Sequence, residues 1–152
     1  MVENDQVQQQ LREALTNGDV DYIVDVLSTE DFDIDLRDVT HDLQTFLMKI
    51  CYCNLETSSV FAIMDAILKR GPDVNIQDSW GRTALMHACI ANKPPIIETL
   101  LEYDDVNIAV IDFEGNSALS FAVQNCDTYT LEDLLIHKDG RALLNVHNAK
   151  GT

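Results

Sequence analysis

Asp78-Ser-Trp-Gly-Arg-Thr-Ala-Leu85 returns 34 residues later as Asp112-Phe-Glu-Gly-Asn-Ser-Ala-Leu119. Each copy is followed 15 residues on by a leucine pair, Leu100-Leu101 and Leu134-Leu135. A fixed period in the thirties marks an array of small units, each too thin to bury its own apolar face and therefore stacked on its neighbours. The functional question then concerns the surface that stacking creates more than an enclosed active site.

Around the first copy the local signals are consistent. Thr83 can cap a short helix whose apolar stripe is Ala84, Leu85, Ala88 and Cys89. Asn92 stops it, and Pro94-Pro95 opens a second helix, where proline is tolerated in the first turn. Ile96, Ile97, Leu100 and Leu101 give that helix its apolar face, and the chain leaves through the β-prone stretch 106–111. Helix, turn, helix and extended finger make one unit.

Gly81-Arg-Thr-Ala-Leu-Met-His-Ala88, the Leu100-Leu101 pair, Asp73-Val-Asn75 and Val106-Asn107 together resemble the ankyrin repeat, with its G-x-T-P-L-H-x-A opening and D-V-N ending. The resemblance implies an all-α solenoid of about four helix-turn-helix units with β-hairpin fingers. The units fall at about 7–38, 39–77, 78–111 and 112–148, in one domain spanning 1–152. The second unit aligns Thr45-Phe-Leu-Met-Lys-Ile-Cys51 with Thr83 to Cys89, with about five extra residues around Leu55 to Ser59. The first unit is reduced to Leu11-Arg-Glu-Ala14, a break at Asn17-Gly18 and a short outer helix, Tyr22 to Leu27, with the polar outer side of a terminal cap. Residues 149–152 read as the start of a truncated unit, so a fragment of a longer protein is expected. Two departures stand out: Met86 holds the family's histidine position with His87 one residue late, and the fourth unit's exit is stretched around Ile136 to Gly140.

Composition narrows the classes. The apolar stretch Val60 to Leu68 is broken by Asp65 and is too short to cross a bilayer. The amino end is acidic and lacks the marks of a signal or transit peptide, so the cytoplasm or nucleus is expected. Net charge is −16, and the stretch up to Asp38 holds 11 acidic and 2 basic residues. Such a field repels nucleic acid and anionic membrane and attracts segments rich in Lys and Arg. The four cysteines are expected as reduced thiols, with Cys51 and Cys89 on buried helical stripes.

Catalytic and metal patterns are poorly supplied. No phosphate-binding glycine loop, nucleophile elbow or H-E-x-x-H occurs, and the histidines share no spacing, so the chain is not expected to be an enzyme and no cofactor is implied. Cys51-x-Cys53 has the wrong spacing for a zinc knuckle. Asp31, Asp33, Asp35 and Asp42 fit a calcium-loop frame, but Leu36 stands where the turn needs glycine, and Phe32, Ile34 and Leu36 alternate with the acids as in a half-buried strand or finger.

The resemblance implies non-catalytic protein recognition. Positions two and five after each motif leucine should face the concave groove, among them Tyr52, His87, Ile90, Phe121 and Gln124. Finger tips should carry Trp80, Arg82, Phe113 and Glu114. In this reading an extended basic partner lies along fingers and groove, anchored on Tyr52, Trp80 and Phe121 and paired with Asp38, Asp78, Asp112 and Glu114. The alternatives are a structural or regulatory segment of a larger protein (a channel, kinase, ligase adaptor or chromatin regulator such as a histone-tail reader) and a calcium- or small-molecule-responsive module.

Overall fold

The computed structural model describes residues 2–29 and 31–137. Eight α-helices follow in order: α1 Val2–Asn17, α2 Val20–Ser28, α3 Phe46–Lys49, α4 Thr57–Leu68, α5 Ala84–Ile90, α6 Pro94–Leu101, α7 Ala118–Asn125 and α8 Thr128–Ile136. A 3-10 turn, Ile50–Tyr52, prolongs α3. The helices pair as α1/α2, α5/α6 and α7/α8, and the pairs stack in two rows. The inner row runs α3, α5, α7, and the outer row runs α2, α4, α6, α8, so each unit packs on its sequence neighbours.

The caps follow the residues that invite them. Thr45 and Thr83 accept the amides of Met48 and Met86, and Asp127 accepts that of Thr130. Ser117 and Ser120 close a reciprocal capping box. Asn92 ends α5 with a φ of 49°, and Pro94 and Pro95 occupy the first turn of α6. Between the rows Ile23, Leu27, Ile63, Met64, Ile67, Ile96, Ile97 and Leu100 are fully buried, each contributing about 1.5–3 kcal/mol of transfer free energy. Met86 belongs to this core, which explains why a thioether can stand at the family's histidine position.

Four expectations change in detail. The fingers contain no strands among the described residues; they are tight turns, with isolated bridges at Asp38–Gln44 and Ile111–Ser117. The extra residues of the second unit do not all form a loop, because Thr57–Ser59 make the first turn of α4, 12 residues long against 8 in α6. The first unit begins ahead of residue 7, since α1 runs from Val2. The stretch 31–36 is a series of turns with Phe32 and Ile34 buried, not a strand. The stretched exit beyond His137 and the truncated unit at 149–152 lie outside the described residues.

Candidate partner-binding face

Each finger starts at an aspartate whose backbone amide closes the turn: Asp38 to the carbonyl of Gln44, Asp78 to Arg82 and Asp112 to Asn116, all at 2.9 Å. One carboxylate oxygen then accepts from the same turn. Asp38 takes the amide and hydroxyl of Thr40, Asp78 the amides of Trp80 and Arg82, and Asp112 those of Glu114 and Asn116. The other oxygen faces inward. Asp38 receives Arg12 and Lys49, with His41 at 3.1 Å. Asp78 receives His87 Nε2 at 2.7 Å, and Asp112 receives Asn116 Nδ2 at 3.2 Å with Arg82 Nε 3.8 Å away.

These three carboxylates are only 2–4% exposed, which corrects their assignment as partner-pairing groups. Their hydrogen-bonding capacity goes to folding the fingers, as buried charge requires. Burial alone would raise the Asp38 carboxyl, but the bonds from Lys49 and Thr40 outweigh it and hold the group well below the usual carboxylate range. Burial likewise pulls Lys49 down, against the pull of Asp38.

His87 is corrected too, since it is buried and not open to the groove. Its Nε2 bonds to Asp78 and its Nδ1 lies 2.6 Å from the Tyr52 hydroxyl. The bonds assign the tautomer: Nε2–H donates to the carboxylate, and the tyrosine donates to Nδ1. Burial keeps His87 below its ordinary value despite Asp78. Burial pushes Tyr52 up to about 12, so the phenol of this Tyr-His-Asp relay is protonated at neutral pH. The relay ties one unit's inner helix to the next unit's finger.

What remains open is aromatic. Trp80 is 55% and Phe113 73% exposed, and Tyr52 offers half its ring. The Arg82 guanidinium lies 5.9 Å from the Trp80 ring centre and 5.3 Å from that of Phe121, bridging the second finger to α7. Adjacent fingers are hydrogen-bonded in series, Ser79 amide to the Asp42 carbonyl at 2.8 Å and Phe113 amide to the Trp80 carbonyl at 3.1 Å. Ile90 and Phe121 are half-buried, while Glu114 and Gln124 are exposed. The inner row thus brings together Tyr52, Ile90, Phe121 and Gln124, and the fingers present Trp80, Arg82, Phe113 and Glu114.

Reading the sequence missed Arg12 and Lys49 as partners of Asp38. The available signal was positional, because Lys49, His87 and Phe121 each lie four residues after a capping Thr45, Thr83 or Ser117. The acidic frame at 31–42 is otherwise employed: Asp35 accepts the Asp73 amide and Asp33 that of Asp35. Among the described residues no three His, Cys, Asp or Glu side chains gather to hold a metal, the four cysteines are free thiols, and no helix is long and apolar enough to cross a membrane.

Stacked helical pairs with hydrogen-bonded fingers and an open inner row define a repeat scaffold. The family model for ankyrin repeats, three copies, matches residues 57–146, and the chain belongs to the ankyrin-repeat family. It is similar to human Rabankyrin-5, 35% identical over 68 residues, which are 45% of this chain and 6% of that protein. It is 32% identical over 96 residues to putative ankyrin repeat protein L371 of Acanthamoeba polyphaga mimivirus, covering 59% of this chain and 12% of that one. It is 36% identical over 64 residues to the probable E3 ubiquitin-protein ligase XBOS33 of Oryza sativa subsp. japonica, covering 41% and 12%. The chain therefore spans a small part of the length of these relatives. Ankyrin repeats are in general protein–protein interaction modules.

Proposed function

We propose that this chain is a non-catalytic protein-binding scaffold whose partner is an extended, Lys/Arg-rich segment lying across the finger tips and the inner row. The observation that carries the reading is the exposure of Trp80 and Phe113 on adjacent fingers joined by a backbone hydrogen bond. Large aromatics held on a rigid frame bind at low entropic cost. The charge of −16 supports a basic segment, and the exposed acids placed to meet it are Glu114 and Asp42 on the fingers and Glu13 on α1. The same field disfavours nucleic acid and anionic membrane as direct partners, and the cytoplasm or nucleus is the proposed setting.

The test is fluorescence anisotropy with a labelled lysine/serine octapeptide at rising ionic strength. Affinity falls steeply with salt, and Trp80→Ala and Phe113→Ala each weaken binding about tenfold while the melting temperature moves by less than about 3 °C. Binding unchanged in both variants overturns the finger-tip reading. The short coverage of the relatives favours one second reading, a structural or regulatory segment whose inner face packs within a longer chain; binding in cis to an adjoining segment, and none to peptides, would support it.

A further inference from the structure

A cleft of about 560 Å³ opens at the amino-terminal end of the inner face, between α1, the first finger and the segment 53–55. Leu15, Tyr52 and Leu55 line its apolar part, and Arg12, His41 and Lys49 its polar part. No Asp or Glu is among the described residues that line it. The nearest exposed acids, Glu13, which lines the adjoining hollow with Arg12 and His41, and Asp42, stand just outside the lining.

The charges of the cluster do not cancel. Arg12, Lys49 and His41 all converge on a single oxygen, Oδ2 of Asp38. Two cations on one carboxylate leave an excess of one positive charge within the cluster. Donors also remain. Arg12 engages the carboxylate through Nη1 alone, and the Lys49 ammonium makes one bond of a possible three. Arg12 is 30% exposed and lines the opening.

We infer that this cleft binds the free carboxylate at the C-terminus of a partner chain whose last residue is aliphatic. Charge complementarity selects the carboxylate, through charge-assisted bonds from Arg12 and Lys49. The apolar part, adjacent to the cations, takes the side chain on the same residue. The choice of a terminal over a side-chain carboxylate rests on the proposed basic partner: a Lys/Arg-rich segment carries few acids, yet every chain has one terminal carboxylate.

The experiment compares labelled lysine/serine octapeptides ending in leucine, as free acid and as C-terminal amide, against the full chain. The free acid binds at least tenfold tighter. Asn54→Asp and Asn17→Asp, exposed lining positions with no bond to Asp38, cut that preference below threefold with the melting temperature unchanged. Arg12→Gln removes the preference. Equal binding of acid and amide overturns the cleft while leaving the basic-partner reading intact. Binding of a serine-only free acid ending in leucine, with no gain from lysine, supports the cleft and overturns the basic reading. Absence of binding by all three peptides overturns the cleft. An amidated peptide with an internal glutamate beside leucine that binds as tightly as the free acid overturns the choice of a chain terminus.

Discussion

Replacing Gly81 by alanine separates backbone strain from finger-to-finger docking. Gly81 sits at φ 77°, where a side chain costs about 1–2 kcal/mol. A Cβ there would also lie 2.6 Å from Phe113 Cδ1 and 2.8 Å from the Phe113 amide nitrogen. The ring is exposed and can swing away, but the nitrogen is backbone. Making room moves the third finger off the second and strains the bond from that amide to the Trp80 carbonyl, worth about 1 kcal/mol. Gly81→Ala should therefore cost about 2–3 kcal/mol in all. Gly71 supplies the control: its φ is 64° and a Cβ would meet nothing within 4 Å, so Gly71→Ala pays strain alone. Urea titrations of both variants by far-ultraviolet circular dichroism give the comparison. A Gly81→Ala variant no less stable than Gly71→Ala would show that the fingers do not support one another, and the reasoning would fail.

Other perturbations test the inward-facing groups. Asp38→Asn leaves the largely buried Lys49 ammonium without its counter-charge and should cost about 2 kcal/mol, read as a lower urea midpoint; an unchanged midpoint would refute the bracing role. Burial holds His87 below its usual value, so the native state takes up that proton less readily than the unfolded chain, whose histidine titrates near 6.5. Its contribution is complete above about pH 6.5 and is lost as pH falls through the lowered native value. His87→Gln should lower stability at pH 7.5 yet flatten the decline between pH 7 and 5; parallel curves for the two proteins would contradict this. Ile97→Ala, at a fully buried site where α6 packs between α4 and α8, should cost about 2–5 kcal/mol in thermal unfolding; a loss below 1 kcal/mol would mean a looser core than described.

The architecture was readable because its signals are local and repeated. Thr83, Asn92 and Pro94-Pro95 each dictate a backbone event at a fixed offset, and the leucine pairs mark the buried stripe. The fate of the aspartates was not readable in the same way. Asp38, Asp78 and Asp112 are chemically identical to exposed Asp42, and only the closed turn decides which oxygens are already satisfied. Lys49 and Arg12 were missed for a related reason, since they reach Asp38 from helices 11 and 26 residues away in sequence. Thr57-Ser58-Ser59 read as loop because the polar residues that begin helices also populate turns. The exposure of Trp80 and Phe113 was legible, since they stand two and one places after a finger aspartate, at the tip of the turn.

The serial fastening of the fingers, Ser79 to Asp42 and Phe113 to Trp80, has a mechanical consequence. A push on one tip is passed through the backbone to the next, so the exposed rings of Trp80 and Phe113 tilt together, and a guest that displaces one reorients the other.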